Sequence, residues 1–191
     1  LAGFSPSSIG GDKSEGSRGS WDYWTVKIDA NGNKVWDKRF GGSGDDRCYD
    51  VVATTGGEYL LTGNSPSDAG NDKSEASRGG NDYWAVKIDA SGSKVWDKRF
   101  GGSADDFSNG ILATSDGRFL LSGYSQSGAN GDKNEASRGS DDFWLVKIGT
   151  DGNASQHLVA SDADGDALTW SVETNASNGT ATVAGTGLSP S

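Results

Sequence analysis

The chain has 191 residues, of which 27 are acidic and 17 basic, giving a formal net charge of −10. Nucleic acids and anionic membranes both attract basic patches, so this charge argues against either as a partner. No stretch approaches the ~20 apolar residues that span a bilayer, so we expect no membrane insertion. A single cysteine, Cys48, excludes an internal disulfide.

One segment occurs three times, with copies beginning at Asp12, Asp72 and Asp132, so the period is 60 residues. A fixed period of this length is typical of repeat proteins, in which a unit cannot bury its apolar faces alone and stacks on its neighbours. The low apolar content, 32%, therefore does not indicate disorder, because the aromatic residues recur in register. Cys48 is replaced by Ser108 one period later, so we expect a small buried side chain and not a nucleophile.

Each period is predicted to contain four short strands. In the middle repeat they are 47–55, 58–65, 82–89 and 94–100, and a long polar loop, 66–81, joins the second to the third. Asp116-Gly117 separates the first two strands of the next repeat, a strong hairpin signal because a tight turn needs positive φ. In 82–89, apolar residues alternate between two faces, which indicates a strand and not a helix.

The run GGSGDDRCYDVVATTGGEYLLTGNS, followed after the polar loop by GNDYWAVKIDASGSKVWDKRFGG, resembles the β-propeller repeats of large secreted and surface-attached bacterial proteins. Its order of strands and turns is similar to the phase of a WD40 blade. The resemblance covers residues 1–149. It implies an all-β fold of four-stranded antiparallel blades, with 46–55 innermost and 94–100 outermost, and an extracellular or cell-surface location. It implies no particular activity, because propellers host many functions.

The expected blades are 1–40, 46–100 and 106–148, with three, four and three strands. A closed propeller has about four blades or more, so we expect an incomplete propeller in a fragment of a longer protein. After Gly149 the repeat breaks. The run QHLVASDADGDALTWSV, residues 156–172, resembles the start of a cadherin-like or Ig-like repeat of bacterial adhesins, which implies a partial β-sandwich over 150–191.

Carboxylates near the long loop form the first candidate site. In the propeller phase, the loop and the turn between blades emerge on one face, which brings together Asp72, Glu75, Asp105 and Asp106. Clustered oxygen ligands of this kind can hold Ca²⁺ or bind another ligand. The alternative, which we favour, is that Lys73, Glu75, Arg78 and Asp82 order the loop through salt bridges and turn hydrogen bonds, because an element copied in every repeat usually serves the repeat.

A second candidate is the run of Asp162, Asp164 and Asp166, with Gly165 providing a turn. Three carboxylates at alternate positions match the first part of a calcium loop, and the resemblance to cadherin-like repeats implies Ca²⁺ ligands here. The closing Glu of an EF-hand is missing, which excludes that motif. A solvated acidic turn is the alternative.

Aromatic residues provide a third candidate, because rows of rings can stack on sugars. The recurring ones are Tyr23, Trp24, Trp36, Tyr83, Trp84, Trp96, Phe143 and Trp144. Their recurrence at core spacing favours packing over a glycan platform. Trp21 is the exception, because its counterparts are Asn81 and Asp141 and the repeat does not require it.

Catalysis has little support in the sequence. The only histidine, His157, has no partner Ser or Cys motif, and no glycine-rich phosphate loop opens a helix. We expect a non-catalytic extracellular scaffold for adhesion or interaction, whose partners are other blades of the same protein and an extracellular protein or glycan. Two alternatives stay open: a carbohydrate-binding propeller, and a fragment of a propeller hydrolase or lyase whose catalytic groups lie in other blades.

Overall fold

Residues 1–154, the part of the chain that a computed structural model describes, form ten β-strands and no helix. The strands are β1 (Ala2–Ser5), β2 (Asp22–Ile28), β3 (Lys34–Phe40), β4 (Arg47–Ala53), β5 (Tyr59–Ser65), β6 (Asp82–Ile88), β7 (Lys94–Phe100), β8 (Asp106–Ala113), β9 (Phe119–Ser125) and β10 (Asp142–Ile148). They form antiparallel sheet 1 (β1-β2-β3), sheet 2 (β4-β5-β6-β7) and sheet 3 (β10-β9-β8). The all-β class is confirmed. The three sheets do not close into a ring, so the propeller itself stays a prediction.

The strands of the middle repeat lie where the sequence predicts them. β7 has the predicted bounds, and β6 ends one residue early, at Ile88. β4 ends at Ala53 because the turn begins there: Thr54 N donates to Glu58 O at 2.9 Å. Gly56 and Gly57 have φ values of 87° and 80° inside this turn, a region that glycine enters without the cost of a Cβ. The hairpin signal therefore marks the correct place.

Sheet 2 is buried on both faces, and β6 shows this most clearly because all seven of its residues are buried. Trp84 and Val86 belong to the apolar cluster that also contains Tyr23 of sheet 1. Tyr83 and Ala85 point the other way, into the cluster shared with sheet 3. Side chains alternate along a strand, so one strand supplies two cores. The sheets are therefore stacked, as expected for repeats that cover each other.

The stacking contacts recur with the period of the sequence. The Tyr23 hydroxyl donates to Trp84 O at 2.9 Å, and one repeat later the Tyr83 hydroxyl donates to Trp144 O at 3.0 Å. Their ring centroids lie 4.8 Å and 4.9 Å apart. Burial raises the pKa of Tyr23 well above its ordinary value, so the hydroxyl stays a neutral donor. Sheet 2 is thus placed on sheet 1 in the same way as sheet 3 on sheet 2.

One pair of residues in contact across the stack differs between the two sheet–sheet interfaces, and both members of the pair change. Between sheets 2 and 3, the hydroxyls of Thr62 and Ser108 are hydrogen-bonded at 2.8 Å. At the equivalent positions between sheets 1 and 2 stand Ala2 and Cys48, which belong to one apolar packing group. The Cys48 thiol is 1% exposed, and burial raises its pKa to about 12. Cys48 is therefore the buried, unreactive side chain that we expected.

Replacing Trp84 by Ala is expected to lower the free energy of unfolding by about 3–5 kcal/mol, because truncating a buried aromatic side chain leaves a cavity. Trp24→Ala is the matched control, since Trp24 has the same place in sheet 1 but is partly exposed, and we expect a smaller loss. Urea denaturation of both variants measures the difference. If both variants lose the same free energy of unfolding, burial by a sheet on each side does not determine how much the tryptophan contributes to stability.

Replacing Cys48 by Ser is expected to cost about 1–3 kcal/mol, because a more polar hydroxyl replaces a buried thiol that packs in the same apolar group as Ala2 and donates only a long 3.6 Å hydrogen bond to Asp50 O. Adding Ala2→Thr recreates the Thr62–Ser108 pair and should recover part of that loss. A double-mutant cycle from denaturation curves measures the coupling. If the changes in unfolding free energy of the two single variants simply add in the double variant, positions 2 and 48 are not energetically coupled.

Candidate functional site: the inter-repeat loops and a variable face

The long loop of each repeat is organised by a buried lysine. Lys73 Nζ donates to Ser65 O at 3.3 Å, Ser67 O at 2.9 Å and Ser77 Oγ at 2.7 Å. An ammonium group has three donors, so each finds an acceptor. Burial lowers the pKa of Lys73 to about 8, which still leaves the group protonated at neutral pH. Lys13 makes the equivalent three contacts in the first repeat, so the lysine is part of the framework.

A second framework group, Asp97 of β7, ties the same loop to sheet 2. It accepts hydrogen bonds from Ser74 N at 2.8 Å, from Trp84 Nε1 at 3.0 Å and from Lys94 Nζ at 2.6 Å. Burial opposes its ionisation, but the bonds from Lys94, Ser74 and Trp84 outweigh burial and hold the pKa of Asp97 below its usual value. The loop is therefore anchored through an ionised, fully engaged carboxylate.

Asp72 lies between two repeats. Its carboxylate is 2.8 Å from Arg18 Nη1 and accepts a hydrogen bond from Gly41 N at 3.3 Å, and both of these residues belong to the preceding repeat. The same clamp recurs as Arg78 with Asp132, at 2.6 Å. Asp72 thus serves the stacking of repeats.

The other three carboxylates of the first candidate site each have different partners. Glu75 pairs with Lys98 at 3.4 Å and lies 3.9 Å from Arg99. Asp105 accepts from Asn81 N at 2.7 Å. The adjacent Asp106 is fully buried and accepts from the backbone of Gly102 and the hydroxyl of Ser127, each at 2.8 Å. Asp106 is thus held inside the stack, while Asp105 is bound to the end of the long loop.

The first candidate site was also considered as a Ca²⁺ site, which would require its carboxylates to converge. In the range 1–154, no group of three or more His, Cys, Asp or Glu side chains is arranged to hold a metal ion. Asp162, Asp164, Asp166 and His157 lie outside the described residues.

Several positions that differ between the repeats lie close together on one surface. Equivalent positions hold Phe4, Asn64 and Tyr124, or Trp21, Asn81 and Asp141, or Arg47 and Phe107, or Tyr49 and Asn109, whereas β3 and β7 are identical in sequence. We call eight of these residues the variable face: Phe4, Trp21, Arg47, Tyr49, Asn64, Asn81, Phe107 and Tyr124. The chain therefore keeps a framework constant while changing this set of side chains.

Residues of the variable face contact each other. Phe4 meets Trp21 edge-on with centroids 5.3 Å apart, and Tyr49 with centroids 5.6 Å apart. The Arg47 guanidinium lies 5.7 Å from the Phe4 ring and 5.5 Å from the Trp21 ring. This part of the face is a cation–π cluster built on the residues that the framework does not require.

The variable face continues across sheet 2 towards sheet 3. Asn64 Nδ2 donates to Asn81 Oδ1 at 2.9 Å. Phe107 then stacks on Tyr124, with ring centroids 5.0 Å apart. An open groove of about 340 Å³ lies between, lined by Asp45, Arg47, Tyr49, Asn64, Asn81 and Phe107. Its size falls near the lower end of the range for small-molecule sites.

Of the aromatic residues singled out in the sequence, the fully buried Tyr23, Tyr83 and Trp84 serve packing, as expected. Trp21, the exception, does belong to the variable face. Phe4, Arg47 and Tyr49 were not singled out, although the signal that marks Trp21, a difference between repeats, marks them as well.

Asp82 is a buried carboxyl group with an unusual pKa. One of its oxygens accepts from Arg78 N at 2.7 Å, and the other, Oδ1, has no hydrogen-bond partner. It fits against Gly101, where an added Cβ would lie 2.0 Å from this oxygen. Burial, reinforced by repulsion from Asp106, raises the pKa of Asp82 to about 6. Ionised Asp82 is thus destabilising in the folded state.

This shift predicts a stability profile. An unfolded Asp titrates near 3.9, so the folded protein holds the Asp82 proton more tightly, and the resulting stability is present below about pH 4 and lost as pH rises to about 6. Asp82→Asn should remove this loss, so its stability relative to the parent should rise by roughly 2 kcal/mol between pH 4 and pH 6. Denaturant unfolding across this pH range measures the difference.

Asp97→Asn is the control, because the lowered pKa of Asp97 has the opposite sign. Its stabilising effect is present above about pH 4 and lost at lower pH, so this variant should be the less acid-sensitive one below pH 4. If the stability of Asp82→Asn relative to the parent is constant from pH 4 to pH 6, the raised pKa is refuted.

No family model and no curated protein matches this chain. Within residues 1–154 the structure has no helix that is long and apolar enough to cross a membrane.

Proposed function

We propose that this protein is a non-catalytic repeat scaffold of an extracellular or cell-surface protein, and that it acts in adhesion by presenting the variable face to a ligand. The observation that carries the proposal is that some residues of the repeat are constant and hold the fold together, while others differ between repeats and lie at the surface. The side chains that hold loops and sheets together are repeated, as for Lys13 and Lys73. Several side chains that change between repeats, among them Arg47, Tyr49 and Phe107, line one groove. A surface that varies on a constant framework is what a binding module needs.

The perturbed groups support a non-catalytic role. Lys73 and Asp82 have displaced pKa values, a property that often marks active sites. Lys73 lies in the long loop and Asp82 at the start of β6, and their equivalents Lys13 and Asp22 are shifted in the same directions in the first repeat. Structural packing accounts for these shifts without a reaction.

Sheet 3 has an exposed apolar face that a further repeat of the same protein could cover. This face supports the proposal that other repeats are partners and that the full set forms a propeller. Phe143 of β10 is 74% exposed and Leu145 is 46% exposed. Their equivalents one repeat earlier, Tyr83 and Ala85, are fully buried against sheet 3. Another repeat placed by the same operation would cover Phe143 and Leu145 in the same way.

The chain offers its own substitutions for testing the variable face. Arg47→Phe and Tyr49→Asn install the residues of the next repeat, and Trp21→Asn installs that of Asn81. Because neighbouring repeats carry these residues at the equivalent positions, the triple variant should remain folded, which its melting curve establishes. We expect it to lose binding to a printed panel of extracellular-matrix proteins and glycans that the parent binds.

Val95→Thr, at a half-exposed position on β7, is the control and should bind like the parent. A folded triple variant that binds as well as the parent would refute the variable face as the binding surface. A parent that binds nothing on the panel would refute the adhesive role.

A further inference from the structure

The stack of sheets has one uncovered apolar face at each end. Sheet 3 exposes Phe143 and Leu145 of β10, as described above. Sheet 1 exposes Ile28 of β2, which is 44% exposed, whereas its equivalents Ile88 and Ile148 are fully buried against the preceding sheet. Position 28 is therefore exposed because no sheet lies against this face in the described part of the chain.

These two uncovered faces are the two halves of one interface. At both interfaces inside the stack, the aromatic ring at the position of Phe143 packs on the tryptophan at the position of Trp24, with ring centroids 4.8 Å and 4.9 Å apart. The chain has an unused ring of the first kind on sheet 3 and an unused tryptophan of the second kind on sheet 1. The sheet 1 face also contains an open groove of about 460 Å³, lined among others by Leu1, Asp12, Trp24, Val26 and Ile28.

Charged groups at the two ends are complementary as well. Each interface inside the stack contains the arginine clamp that joins Arg18 to Asp72, at 2.8 Å in the first interface and 2.6 Å in the second. The remaining members of this series are Arg138, which precedes β10, and Asp12, which lines the groove on sheet 1. Both are exposed, and within residues 1–154 neither side chain forms an ion pair. One end thus offers an unpaired cation where the other offers an unpaired anion.

A second copy of this chain supplies both missing halves at once. Resting on the repeat scaffold proposed above, we propose that two copies of the chain associate head to tail, with sheet 3 of each copy packed on sheet 1 of the other. Phe143 of one copy then lies on Trp24 of the second. Arg138 of the first pairs with Asp12 of the second, which continues the clamp across the boundary between chains.

The number of sheets favours closure at two copies. A contact between two different faces is heterologous, so it either closes into a ring or continues as a filament. Residues 1–154 form three sheets, and two copies therefore provide six. This number falls within the roughly four to eight blades of a propeller, whereas one copy provides too few and three copies too many.

The contact between copies lacks one bond that the interfaces inside the chain possess. Tyr23 and Tyr83 each donate their hydroxyl to the backbone oxygen of the tryptophan on which they pack. Phe143 has no hydroxyl, so Trp24 O of the second copy receives no such bond. Replacing Phe143 by Tyr restores this donor at both junctions of the ring and should lower the dissociation constant of the dimer by about tenfold or more.

Sedimentation velocity and light scattering of the full 191-residue chain, from micromolar to millimolar concentration, test the proposal. We expect a species of twice the 19.8 kDa mass of one chain, and a tighter one for Phe143→Tyr. Val95→Thr is the control, because Val95 lies on sheet 2 at neither end of the stack, and it should associate like the parent. Melting curves establish that each variant is folded.

Three further variants test the head-to-tail orientation. Ile28→Asp places a charge on the sheet 1 face and should abolish the dimer. Arg138→Asp and Asp12→Arg should each raise the dissociation constant by about fivefold or more, and the double variant should recover most of this loss because it restores an opposite pair at both junctions. Association of sheet 3 with sheet 3 would instead leave Ile28→Asp and Asp12→Arg unchanged.

The proposal is overturned if the chain stays monomeric, grows into a series of larger species, or dimerises as tightly with Ile28→Asp as the parent does. It is also overturned if Phe143→Tyr gives no tighter dimer. These measurements contain no ligand, so they are independent of the adhesive role. A monomeric chain that still binds the matrix panel would leave the adhesive function standing, and a dimer that binds nothing on the panel would leave the assembly standing.

Discussion

The fold depends on the cover that each sheet gives to its neighbour. β6 is buried along its whole length because sheet 1 lies on one of its faces and sheet 3 on the other. β10 has almost the same sequence, yet Phe143 and Leu145 are exposed where no further sheet lies against them. The burial of a residue is thus set by the stack and not by its own strand. A modest apolar content suffices, since each interior strand serves two cores.

Apolar contact alone does not fix how one sheet sits on the next, and polar bonds at regular intervals supply that register. Trp36 Nε1 donates to Ala90 O, and Trp96 Nε1 donates to Thr150 O, each at 3.2 Å. The clamp of Arg18 on Asp72 repeats in the same way. Partly buried ion pairs add little net stability after desolvation, but a shifted stack would leave such charges unpaired, which is far more costly. Their effect is to exclude other stacking arrangements.

The sequence predicted the elements well and the sites less well, for physical reasons. Alternating apolar residues and Gly-Gly or Asp-Gly turns are local signals, so the strands fell within two residues of their predicted ends. The partners of Lys73 are mostly backbone carbonyls, which no side-chain pattern reveals. Asp105 and Asp106 are adjacent in the sequence but take separate partners, so counting carboxylates near the loop could not show which of them gather.

The variable face shows where sequence reasoning stops. Comparing repeats identifies Trp21, Arg47 and Tyr49 as exceptions, but it does not show that they meet. Their meeting depends on the pairing of β4 with β5 and on the packing of sheet 1 against sheet 2, which are properties of the folded chain. The strand register and the sheet packing must therefore be known before residues that differ between repeats can be recognised as one surface.

Two kinds of exchange between repeats have different meanings. Ala2 with Cys48 and Thr62 with Ser108 change together inside the stack, and each pair is complete in itself: two apolar groups, or two hydroxyls bonded to each other. Arg47 and Asn64 also replace a complete pair, the stacked rings of Phe107 and Tyr124, but they leave a donor and an acceptor unsatisfied. The first exchange therefore leaves no polar group of the pair without a hydrogen bond. The second leaves two buried polar atoms without a hydrogen bond, as several repeated framework groups such as Asp22 and Asp82 also do, so the fold tolerates such atoms where the surrounding contacts outweigh their cost.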